Sequence, residues 1–189
     1  MTQTNVIPPW TVVEMDLDRF FRKYPPEEKQ RLIRKALEFS DSAATSFARR
    51  FGPTYPLPEL NRAAKDLFCT VTVITGKPAC PFLSDFDPNS RRITLYKQNI
   101  DRFYAGIRDG FSSCFLSHTL EEMCLLHELC HVLEFETYGK IGGLSGIGET
   151  KTLFRRPREH RRLSEVAAHS FVQTLMELPC SPAEFCINP

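Results

Sequence analysis

Two histidines stand four residues apart in Leu125-Leu126-His127-Glu128-Leu129-Cys130-His131-Val132-Leu133, with a glutamate directly after the first. An α-helix turns once every 3.6 residues, so His127 and His131 share a face and both imidazoles can meet one ion. This is the HExxH pattern, in which two imidazoles hold Zn2+ and the intervening carboxylate reaches a water on the same metal. The other neighbours are apolar. A helix buried on nearly every side needs a reason for carrying two imidazoles and a carboxylate, because unpaired buried polar groups are costly. Zinc ligation supplies one.

A catalytic zinc takes three protein ligands and keeps one position for water. The segment from Ser164 to Met176 offers the third. Its apolar residues at 163, 166, 167, 171, 175 and 178 follow a helical period. Glu165 and His169 stand one turn apart on that helix, and either can serve. Each also has an ordinary role. Glu165 can pair with Arg161 or Arg162 at helical spacings of four and three, and His169 can be a hydrogen-bonded, half-buried histidine. Cys124, three residues before His127, can offer a thiolate but is more simply a core residue.

Taken together, His127-Glu128-x-x-His131 followed by Glu165-x-x-Ala168-His169-x-Phe171, Leu175-Met176 and Pro179 resembles the gluzincin metallopeptidases. It is most similar to the ImmA/IrrE-type zincin-like domains. These pair HExxH with a later helix in which Glu is followed by Ala-Asn, Phe-Ala, Leu-Leu and Pro. The resemblance covers Thr119 to Pro179. It implies a zincin-like core, Glu165 as the third zinc ligand, and a protein or peptide substrate. The chain departs from the pattern at His169, where the group usually has Asn or Asp, at Val172 in place of Ala, and at Glu177, one extra residue before the proline.

On this reading zinc activates water, and Glu128 takes its proton and later delivers it to the leaving amine. Tyr138, His160, His169 and the arginines between Lys151 and Arg162 are candidates for steadying the oxyanion or backing the ligands. Two other readings compete: a non-catalytic zincin-like module that binds metal or a partner, and a metal-free helical protein with a chance motif. Glu128 separates the first two, since a purely structural site has no need of a carboxylate beside its first ligand.

The elements that must position these residues can be read outward from the motif. Thr119 can N-cap the HExxH helix, with Glu122 completing a capping box, and Gly139 stops it after Tyr138. Residues 1–24 read as an N-terminal arm with a helical piece around Val13 to Tyr24. Pro25 and Pro26 lead into a long helix that begins with acidic residues and ends at Gly52-Pro53. A helix from Pro58 to Asp66 follows. Phe68 to Thr75 is β-branched and reads as a strand, 76–90 as a loop, and Arg91 to Lys97 as the partner strand, whose edge from Ile93 to Lys97 could receive an extended peptide. Asn99 to Arg108 predicts a short helix. The glycine-rich stretch from Gly139 to Thr150 reads either as a lid over the cleft or as a surface connection. The arginines from Lys151 to Arg162 read as a solvated helix start, with one of them or His160 near the metal. The expected fold is α+β: a helical zincin-like core with a small antiparallel sheet, in one domain spanning 1–189.

Bulk properties narrow the function further. The 189 residues suffice for one full core, and 42% apolar content is ordinary for a globular protein. A net charge of +1 gives no steering toward nucleic acid or membrane. No stretch reaches the roughly 20 apolar residues that span a bilayer, and Met1 to Phe21 lacks a secretory signal's basic start. Seven cysteines match no disulfide framework, so they are expected as reduced thiols in a cytoplasmic protein.

Overall fold

The protein is described by a computed structural model that covers residues 7–19, 21–107, 109–115, 117–140, 142–146 and 161–187. Its architecture is α+β and mostly helical. Helix α1 (Pro9–Asp16) is the first described element and begins earlier than the sequence suggested, because Pro9 fits the first turn of a helix. Helix α2 (Pro26–Phe51) also begins on a proline, carries Glu27 and Glu28 in its first turn, and stops at Gly52 with φ +91°. Helix α3 (Leu57–Asp66) leads to a sheet of β1 (Thr70–Ile74), β2 (Ser84–Asp87) and β3 (Arg92–Tyr96). Then come α4 (Lys97–Ile107), α5 (Leu120–Tyr138), α6 (Arg161–Leu175) and α7 (Pro182–Ile187).

The sheet differs from the expected antiparallel pair. Its order is β1-β3-β2; β1 runs parallel to β3, and β2 antiparallel to it. The sheet is therefore mixed. The third strand lies within the stretch read as loop, 76–90. Ser-Asp-Phe-Asp has little β propensity of its own, and it pairs because a short turn folds it back on β3. A second correction follows. The β3 segment proposed as a free edge is paired on both sides, and β2 is the edge strand beside α5.

Two apolar clusters meet at α6. One joins the sheet, α2, α3 and α5 through Phe47, Leu60, Ile93, Leu125 and Phe171. The other joins α1 and α2 through Trp10, Met15, Ile33, Leu163 and Val166. Ala167 and Ala168 are fully buried on α6, where small side chains let neighbouring helices approach. Among the described residues, no helix is long and apolar enough to cross a membrane.

Candidate metal centre

Helix α5 forms as the sequence predicts. Thr119 Oγ1 accepts from Glu122 N at 3.2 Å, Glu122 Oε2 accepts from Thr119 N at 2.7 Å, and Gly139 closes the helix with φ +71°. The capping box satisfies two of the helix's free amide donors. Leu125, Leu126, Leu129 and Val132 bury their whole side chains. This is a core helix, so its polar residues must find partners inside the protein.

They find one another. His127 Nε2 and His131 Nε2 lie 3.1 Å apart. Across from them on α6, Glu165 Oε2 is 3.2 Å from His127 Nε2, and Glu165 Oε1 is 3.7 Å from His131 Nε2. All three donor atoms fall within 4.8 Å of one another. Atoms held roughly 2.1 Å from one tetrahedral zinc lie about 3.4 Å apart, which is the scale of these separations. Two facing imidazole nitrogens can share only one proton, whereas a cation satisfies both lone pairs and the carboxylate together. Imidazole, imidazole and carboxylate form a donor set that suits zinc.

Of the alternative partners of Glu165, one is engaged elsewhere and the other lies at the surface. Arg162 Nη1 pairs instead with Glu14 Oε1 of α1 at 2.6 Å, and Arg161 is exposed. Cys124 sits in the core and is not a member of the donor cluster.

Behind the donors lie residues the sequence did not single out. Glu134, one turn beyond His131, is almost fully buried at 1% exposure. Its Oε1 accepts from Gly142 N at 3.0 Å, Leu144 N at 3.4 Å and Ser164 Oγ at 2.8 Å. Its Oε2 lies 3.6 Å from His131 Nδ1, which has no hydrogen-bond partner. A carboxylate behind a metal-binding imidazole fixes the ring's orientation and raises its basicity. Glu134 thus ties His131 of α5 to Ser164, the residue before Glu165, and to the turn after α5. The signal for it was a glutamate three residues after His131, near enough on the helix to reach the same imidazole.

That turn corrects the view of the glycine-rich stretch. Gly142, Gly143 and Leu144 are buried, and Gly143–Gly146 form a 3-10 turn. A Cβ at Gly143 would lie 2.4 Å from Tyr138 Cβ, so only glycine fits this approach. The remainder of the stretch, 147–150, lies outside the described residues, as do Arg155, Arg156, Arg158 and His160.

Glu128 is buried at 4% exposure and its Oε1 accepts from Ser84 Oγ of β2 at 2.7 Å. The His169 ring stands 4.9 Å from that of His127, and Trp10 of α1 meets its other side edge-on at 6.3 Å. His169 Nδ1 is buried without a partner. Tyr138, at the end of α5, packs its ring on Phe39 at 5.7 Å.

The electrostatics reflect three carboxylates around two imidazoles. Burial disfavours protonated His131, but Glu134, Glu165 and Glu128 outweigh it and push the group up to about 9. For Glu165, burial favours the neutral acid, yet His127 and His131 hold the carboxyl well below its usual range. Burial, with His127 beside it, pushes His169 down to about 3, so it stays neutral. Comparison of the chain with protein-family models, with curated proteins and with solved structures finds no match. The chemistry of the site rests on its own atoms.

Proposed function

We propose that this protein is a zinc-dependent metallopeptidase of the gluzincin kind, with a zincin-like fold, hydrolysing peptide bonds in a protein or peptide. The observation that carries this reading is the convergence of His127, His131 and Glu165 from two helices onto one point, with Glu128 beside it. Bound zinc supplies a Lewis acid that polarises a carbonyl and acidifies water. Glu128 is the general base. Ser84 occupies its Oε1, which leaves Oε2 to take a proton from water and pass it to the leaving amine. Among the described candidates for steadying the oxyanion, His169 stands beside the donor cluster. The free edge of β2, whose Ser84 touches Glu128, is the place where an extended peptide would add as a further strand.

Metal content and peptide hydrolysis, measured on wild type, Glu165→Ala and Glu128→Gln, test the reading. We expect about one zinc per wild-type chain, marked loss in Glu165→Ala, and full metal with no hydrolysis in Glu128→Gln. A wild-type chain that takes up no zinc when it is offered overturns the proposal. A Glu128→Gln variant as active as wild type removes the peptidase mechanism.

A further inference from the structure

Away from the metal centre, two thiols meet. Cys114 lies in a 3-10 turn (Ser112–Phe115) just before α5, and Cys180 lies between α6 and α7. Their Sγ atoms are 2.8 Å apart across 66 positions of sequence. That is well inside ordinary van der Waals contact. Cys114 is 1% exposed, and Cys180 is only partly buried. Both are held by their surroundings. Cys114 N donates to Phe111 O at 2.9 Å, and the rings of Phe111 and Phe115 pack on Phe185 of α7 at 4.7 and 5.6 Å. Next to Cys180, Ser181 N donates to Glu184 Oε1 at 2.9 Å and fixes the start of α7. The sulfurs need to close by only about 0.8 Å to reach the roughly 2.05 Å of a disulfide bond.

We propose that Cys114 and Cys180 form a covalent modification site, a dithiol that closes to an intramolecular disulfide by exchange with a small-molecule disulfide. The more exposed Cys180 thiolate attacks one sulfur of the reagent, forming a mixed disulfide and releasing one thiol. Cys114 then attacks the Cys180 sulfur and releases the second thiol. The two cysteines lose two electrons and two protons; the reagent's S–S bond takes up both as two thiols. The bond joins the chain just before α5 to the chain just after α6, so the loop it closes contains His127, His131 and Glu165. Cross-linking a loop of this length restricts the unfolded chain and stabilises the fold. The inference does not depend on the metal reading.

The test uses the full chain, reduced, freed of reductant and treated with oxidised glutathione. Peptide mapping without reduction is expected to give one cross-linked pair, Cys114 with Cys180, and an intact mass lower by about 2 Da. The thermal midpoint is expected to rise by several degrees and to return on reduction. Cys114→Ser and Cys180→Ser should each lose both effects. If either variant misfolds, the wild-type peptide map decides alone. A glutathione adduct that stays on Cys180, a link to another cysteine, or no link at all overturns the proposal.

Discussion

His131 sits where three carboxylates favour its protonated ring, and the proposed zinc needs one ring nitrogen bare. In the metal-free protein the raised value, about 9, means that His131 is protonated through the neutral range. Metal binding must expel that proton, so zinc affinity is expected to rise with pH up to about 9 and then level off. Chelator-buffered titrations across the range, or calorimetry in buffers of different ionisation enthalpy, would report the released proton. The same shift has an opposite consequence for the apo fold. A raised imidazole stabilises the folded state below its unfolded value of about 6.5, and that contribution is lost as pH rises through 9. Glu134 is the second residue with a sharp expectation. Glu134→Ala leaves the Gly142 and Leu144 amides and the Ser164 hydroxyl buried without their acceptor. We expect a loss of about 3 kcal/mol in denaturant unfolding. The milder Glu134→Gln should lower zinc affinity by about 10-fold to 100-fold. At this scale the sequence disclosed the donors but not their supports. HExxH is a local pattern, and a local helical period offered Glu165 and His169, between which the family resemblance chose. Ser84, Glu134 and Ser164 matter only through contacts made after the chain has folded.

The helices were legible because their signals are local. The capping box, the glycine stop and the proline starts lie within a few residues of the ends they define, and α5 runs over the residues those signals bracket. Thr119→Ala should therefore cost about 1 kcal/mol in thermal or denaturant unfolding, through loss of the N-cap. The strands were harder. β1 and β3 carry β-branched residues and could be recognised, but their direction depends on where β2 goes, and β2 has almost no propensity to announce it. A single edge strand made from Ser, Asp and Phe turned a presumed antiparallel pair into a mixed sheet. The turn after α5 was misjudged for a related reason. Glycine signals freedom in a sequence, yet at Gly143 it marks a backbone pressed against Tyr138. Gly143→Ala should force that contact apart at a cost of about 1–3 kcal/mol, and a fall in thermal midpoint would register it.

Across the molecule, the donor atoms come from α5 and α6, each built into the core, and α1 braces α6 through the Glu14–Arg162 pair and the Trp10 ring. Bringing the ligands together is part of folding the whole chain, so metal should contribute to global stability. At free zinc about 100-fold above its dissociation constant, linkage adds about 2.7 kcal/mol. For a chain of this length that is a thermal shift of about 5–10 °C; a chelator should lower the wild-type midpoint by that much and leave the midpoint of Glu165→Ala unmoved. The β2–β3 turn gives the molecule a different kind of constraint. Asp87 accepts from Asn89 N at 3.0 Å and from Ser90 Oγ at 2.6 Å, and this small knot sets the register that pairs Ser84 with Leu95 and Phe86 with Ile93. Side chains alternate along a strand, so a slip of one residue would turn Ser84 from Glu128 and Phe86 from the core at once. The turn works as a gauge, measuring out from four residues of surface where Glu128, the proposed general base, is held. A designer adding a tag or loop to this sheet should leave residues 88–91 alone and use the longer connection between β1 and β2, where added length leaves the gauge unread.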